Sequence, residues 1–232
     1  MVATPRDSRD VSSAKDPSQE ERKVIDAASS GTRIRIRKPR GYVGRLHETL
    51  GSDIVSVYRI LKLPEQVLGA AEAERLKAVR TSEWYPIAWL LELMNILDAA
   101  LGYDGLLRMG RALFDLSHKE RVLKTAHSAR DIIYGIDGMY RHANRGHGIG
   151  GWKVLRFEPG YAELEKTTPH HCIMEQGILS AALAAVGCPA TIAQPTCFRD
   201  GADACVYAIS SSLVDARWST PTATLRQDPK VR

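Results

Sequence analysis

The sequence predicts an α+β fold, a small antiparallel sheet packed against several helices. Two observations carry this. Between about residues 51 and 144 apolar residues recur with a helical period, and from Trp152 onward the period falls to two. The last segments then run strand, strand, helix, strand, strand, an order that builds an antiparallel sheet with helices stacked on one face.

The elements follow in order. Residues 1–32 are rich in Ser, Asp, Glu, Lys and Arg and sustain no apolar period, the composition of a disordered tail. Residues 33–81 read as a strand and helical lead-in. Ile34 and Ile36 alternate with arginines in a short charged edge strand that Pro39 stops. Gly51-Ser52-Asp53 opens a helix from Ile54 to Leu63, Pro64 stops it, and a second helix covers Glu65 to Val79. A long helix follows from Ser82, its N-cap, to Leu101, where Gly102 ends it. Being apolar on nearly every face, it belongs in the core. Asp104 caps a helix from Gly105 to Leu116, and Lys119 to Asn144 is mostly helical.

The Gly-rich run from Arg145 to Gly151 lacks the Gly-Lys-Ser/Thr ending of a phosphate loop and reads as a flexible connection into a strand. Trp152 to Glu158 and Tyr161 to Thr167 form a hairpin turning at Pro159-Gly160. His171 to Val186 is a helix whose small residues permit close backbone approach. Ala190 to Thr196 and Ala204 to Ser210 are the last strands. Residues 82–212 then read as one domain and 213–232 as a C-terminal tail.

Composition narrows the function classes. The chain has 232 residues, 44% of them hydrophobic and 25% charged, which excludes fibrous and wholly disordered classes. A net charge of +5 over this length makes no basic patch, so nucleic acid is not expected as a partner. The most apolar stretch, Trp84 to Leu101, contains Pro86, Glu92, Asn95 and Asp98, so no membrane span is expected. No apolar leader follows Met1, which points to the cytoplasm, where thiols stay reduced.

The cysteines are the sharpest local feature. Seven residues separate Cys197 from Cys205, with Asp200-Gly201 between them, so a hairpin there brings the two sulfurs together. Cys172, at the start of the preceding helix, is in reach if that helix end packs beside the hairpin. Cys188, between Gly187 and Pro189, reads as a buried small group.

The run from His170-His171-Cys172 through Gly177 and Gly187 to Cys197-x3-Gly201-x3-Cys205, after a Gly-rich turn and a hairpin, resembles the 4-vinyl-reductase domain family over residues 82–212. The resemblance implies a 4-vinyl-reductase-like fold, shared with haem nitric-oxide-binding domains and transport-complex (TRAPP) subunits. It further implies a small-molecule or hydrocarbon sensor, often a homodimer. In some members zinc is held at positions that fall here on Cys172, Gln194, Cys197 and Cys205. Gln194 departs from the family's glutamate, which leaves a water or His171 as fourth donor. Buried structural thiols are the competing reading of the same cluster. Haem is not expected, because Tyr140-Arg141-His142-Ala143-Asn144 does not supply a Tyr-x-Ser-x-Arg pattern and the histidines read as loop and helix-end residues.

Trp84, Trp89, Met94, Tyr134, Met139 and Ile178 are the expected lining of an apolar ligand pocket, with core packing the alternative. The first functional expectation is therefore a sensing or regulatory module that binds an apolar ligand and acts through a dimer or protein partner. A ligand-free interaction scaffold comes second and a tetrapyrrole-modifying enzyme component third. No electron-carrier site is recognisable, so an enzymatic role is disfavoured and left open.

Overall fold

Hydrogen-bonded pairing in the computed structural model, which describes residues 46–219, divides the strands between two antiparallel sheets. The larger has four strands in the order β4-β5-β7-β6: Trp152–Glu158 (β4), Tyr161–Lys166 (β5), Thr191–Thr196 (β6) and Cys205–Ser210 (β7). The α+β class and both hairpins therefore stand as the sequence indicates. The tail of residues 1–32, the strand at Ile34 and Ile36, and residues 220–232 lie outside the described residues.

Alternation along β5 and β7 decides what enters the core. Ala162, Leu164 and Lys166 of β5 are buried, as are Cys205, Tyr207 and Ile209 of β7. Register places Lys166 directly opposite Cys205 at one end of this face. A period of two thus carries a lysine and a thiol inward along with the apolar residues.

The smaller sheet was not legible in sequence. It has three strands in the order β2-β1-β3: Glu48–Leu50 (β1), Trp84–Pro86 (β2) and Asn144–Arg145 (β3). β2 takes residues expected to begin the long helix, because pairing with β1 captures Trp84 and Tyr85 and the helix starts only after Pro86.

The helices are Gly51–Ile60 (α1), Pro64–Leu68 (α2), Ala70–Lys77 (α3), Ile87–Leu113 (α4), Lys119–Val122 (α5), Ala129–Ala143 (α6), Cys172–Ala185 (α7) and Ala216–Ser219 (α8). The single helix expected from Glu65 to Val79 is two, split by Gly69 at φ 84°. Helix α4 breaks at Gly102 (φ 61°, ψ −169°), the glycine expected to end it. A π-helical turn at Phe114–His118 and a non-helical stretch before Ser128 interrupt what read as helix beyond Leu113. Ser128 caps α6, its hydroxyl accepting from the Asp131 amide.

Helix α7 lies against α4 at van der Waals distance. A Cβ added to Gly110 would come within 1.9 Å of the Met174 carbonyl oxygen, and one on Gly177 within 2.3 Å of the Leu107 oxygen. The Gly-rich connection is pinned rather than loose. Tyr140 donates to the Ile149 carbonyl at 2.9 Å, and the Trp152 amide to Asp137 Oδ1 at 2.8 Å. Among the described residues no helix is long and apolar enough to cross a membrane.

Candidate functional site

Two groups of residues converge on the segment from β5 to the start of α7. The first surrounds an interior cavity of about 40 Å3, room for about three water-sized groups. Val57, Leu90, Met94, Leu113, Ile136, Met139, Met174 and Ile178 make its walls apolar, and Trp152 lies among them. Asp53, His118, Tyr140, Asn144, His170 and Glu175 supply polar groups to the same cavity.

His170 is the most informative of these. Its Nδ1 lies 3.4 Å from Glu175 Oε1, while its Nε2 is buried and has no hydrogen-bond partner. Asn144 Oδ1 is likewise buried and unpartnered. Buried polar atoms are almost always satisfied, so two unsatisfied ones on a single cavity mark it as a place for a guest. A carboxylate that holds one imidazole nitrogen and leaves the other free is also how proteins orient a metal-binding histidine.

Glu175 is itself tightly held. Lys166 Nζ lies 3.0 Å from its Oε2, and the Thr168 hydroxyl lies 3.0 Å from each oxygen. Burial works to raise the carboxyl's pKa, but the Lys166 charge and His170 bring it below its ordinary value. Burial pulls the Lys166 ammonium downward, and Glu175 together with the nearby Cys172 and Cys205 turns the balance upward. Both groups are therefore charged. His118, with Nε2 3.8 Å from Asp53 Oδ1, is held below its ordinary pKa chiefly by burial.

The second group is the thiols. The Sγ atoms of Cys172, Cys197 and Cys205 all lie within 4.8 Å of one another. Cys172 and Cys197 are 3.2 Å apart, and Cys205 is 3.8 Å from Cys197. The local cause is the connection after β6: a 3-10 turn at Phe198–Asp200 and Gly201 at φ 105° reverse the chain so that Cys205 opens β7 beside Cys197. The Tyr207 hydroxyl donates to the Cys172 carbonyl at 2.8 Å and ties the start of α7 to the sheet. Hydrogen bonds from the other two thiols, helped by Lys166, pull the Cys172 pKa well below the thiol range, while Cys205 is pushed up in exchange.

Gln194 lines a cleft shared with Cys172 and Cys197, and its Nε2 is buried without a partner. His171 Nε2 lies 3.2 Å from Asp98 Oδ2, a carboxylate that also takes Arg199, but neither of its buried ring nitrogens makes a hydrogen bond. Cys188 is fully buried and donates to the Arg217 carbonyl at 3.3 Å.

Of the residues expected around an apolar ligand, Met94, Met139 and Ile178 line the cavity. Three others are placed elsewhere. Trp84, in β2, lies under the Arg145 guanidinium, 4.2 Å from its ring centre. Trp89 is buried against Arg75 and donates its Nε1 hydrogen to Glu72. Tyr134 is 52% exposed and packs edge-on to Phe157. Helical phase explains Tyr134: Ile136, Met139 and Tyr140 share the inward face of α6, and position 134 does not. Sequence reasoning left out Asp53, His118, His170 and Glu175. The only signal was the pair His170-His171 directly before Cys172.

No family model and no curated protein matches the chain. Solved structures do. A mutant H-NOX protein from S. oneidensis in the Fe(II) ligation state superposes with a TM-score of 0.57 at 16% identity, covering 73% of this chain and 99% of its own. The Fe(II) unliganded H-NOX protein from K. algicida gives 0.52 at 13% identity, covering 70% and 96%. A structure probing heme distortion in the H-NOX family gives 0.53 at 9% identity, covering 71% and 96%. The 4-vinyl-reductase resemblance gains no matching model. The cofactor expectation is also corrected: haem is not expected from the sequence and zinc is only one reading of the thiols, yet the solved structures that share the fold are described as Fe(II) and heme proteins and lend zinc no support. At these identities the likeness establishes architecture, and the described chain has the H-NOX-like α+β fold.

Proposed function

We propose that this chain is a small-molecule-binding sensor module whose ligand occupies the cavity between α1, α4, α6, α7 and β4. The observation that carries the reading is His170: a buried imidazole on a cavity with largely apolar walls and a few other polar groups, one nitrogen held by Glu175 and the other unpartnered. An apolar wall supplies burial energy, and a few fixed polar groups orient the guest.

An iron porphyrin is the ligand class to test first, since the structures that share the fold are described as Fe(II) and heme proteins. The imidazoles present suit an iron: His170 Nε2, on a ring held by Glu175, would be its donor, and His118 is a second imidazole on the cavity. Bound haem would supply an iron able to take a diatomic gas. At about 40 Å3 the cavity admits a macrocycle only if its walls move. Met94, Met139 and Met174 suit that, being unbranched and adaptable.

Haemin added to the full-length protein is the direct test. A sharp, saturable Soret band that His170→Ala removes, with His118→Ala retaining it, supports the assignment. A broad haemin spectrum in the unaltered protein, or a band indifferent to His170, refutes it.

The thiols carry a separate assignment. Cys172, Cys197 and Cys205 are proposed to hold a thiophilic metal ion that clasps the start of α7 to the β6–β7 connection, with Gln194 beside them. Its support is the convergence of three sulfurs from two elements and a loop. A signal would leave the module through a dimer or protein partner. A ligand-free scaffold is the rival, and the unpartnered His170 and Asn144 atoms argue against it.

A further inference from the structure

The metal assignment for the thiols leaves one coordination position to account for. Among the described residues, the donors lying mutually within 4.8 Å are the three sulfurs alone, with no histidine or carboxylate completing a fourth. His171, the nearest in sequence, has its Nε2 3.2 Å from Asp98 Oδ2 and lies outside that group, although neither of its ring nitrogens makes a hydrogen bond. Cys172 and Cys197 also line a cleft of about 350 Å3, while Cys205 is fully buried. Gln194 and Arg199 share that cleft, and the Gln194 Nε2 has no acceptor.

We propose that the fourth position opens onto this cleft and is taken by a small thiol from solution. The proposal rests on the metal reading of the three cysteines. Structural centres are closed by four protein donors, whereas an open position belongs to a centre that exchanges ligands. The ligand class follows from the walls. A thiophilic ion selects sulfur. The Gln194 amide offers hydrogens that need an acceptor, which a thiolate sulfur provides; Arg199, paired with Asp98, and Asp200 complete the polar lining. A volume of about 350 Å3 is at the small end of ligand pockets. The step is a ligand exchange without electron transfer: the S–H bond and a metal–water bond break, a sulfur–metal bond forms, and the proton and the displaced water pass to bulk solvent.

The test uses full-length protein loaded with Co2+, whose absorption reports sulfur donors and coordination number, titrated with 2-mercaptoethanol, acetate or imidazole. The thiol is expected to raise the sulfur-to-cobalt band saturably. Gln194→Ala should raise the half-saturating thiol concentration about tenfold. Gln194→Glu, which supplies a carboxylate, should abolish the titration while cobalt stays bound. A flat thiol titration on cobalt-loaded protein overturns the proposal, as does a response led by acetate or imidazole. So does a cobalt spectrum altered by His171→Ala, which would make His171 the fourth donor. In all three cases the metal centre itself survives. Failure to bind cobalt, or binding retained in Cys205→Ser with unchanged circular dichroism, removes the metal reading and this proposal together.

Discussion

Lys166 is a fully buried ammonium at a position where strand alternation would ordinarily place an aliphatic side chain. Its hydrogen bond to the His170 carbonyl at 2.6 Å and its pairing with Glu175 make it the post on which the cavity histidine is mounted. Glu175→Gln should therefore cost about 3–5 kcal/mol, because a buried charge loses its partner. Removing both charges with Lys166→Met and Glu175→Gln should recover most of that loss, and urea unfolding of the two variants decides it. His118 provides a pH signature. Burial depresses its pKa below 6.5, so it folds neutral while the unfolded chain takes up a proton near 6.5. Its contribution to stability is then complete above that pH and is lost as pH falls. The urea midpoint should drop between about pH 7.5 and about pH 5, and the drop should be shallower in His118→Asn. A slope indifferent to that substitution would place the acid sensitivity elsewhere. None of these roles could be read from spacing. Lys166, His170 and Glu175 look like solvent-facing residues in a linear sequence until the sheet register turns the first inward.

At the level of elements, legibility followed local chemistry. The two hairpins of the large sheet and the helix between them stood out, because Pro159-Gly160, Gly187 and Gly201 mark turns and the period changes at Trp152. Gly102 likewise marked the break in α4. The three-stranded sheet stayed hidden because its strands are two or three residues long and pair over large sequence separations, which no local pattern encodes. The close packing of α7 on α4 was foreshadowed by small residues, but only the structure identified Gly110 and Gly177 as the contact. Gly177→Val should destabilise the protein by about 3 kcal/mol or more, since the opposing atoms are backbone and cannot rotate away. A thermal melt that leaves Gly177→Val within about 1 kcal/mol of the unaltered protein would show that the helices separate at little cost.

Across the whole molecule, one short stretch joins the two candidate sites. Between Lys166 and Glu175 the chain leaves the sheet, places His170 on the cavity and Cys172 in the thiol cluster, and enters α7. A guest in the cavity or a metal on the thiols would therefore act on the same backbone segment, as the proposed sensor role requires. The cysteine half of this arrangement was visible as Cys-x3-Gly-x3-Cys. The cavity half was not, because its polar groups come from α1, the π-helical turn, α6, β3, the connection before α7 and α7 itself, which sequence does not bring together. Native mass spectrometry of the full-length protein, purified from cells supplied with iron and a porphyrin precursor, addresses the cavity most directly. The unaltered protein should carry an added small-molecule mass that His170→Ala, still folded, does not retain. Identical masses with nothing bound, or the same adduct on both, would mean that the cavity around His170 is not where this molecule takes its ligand.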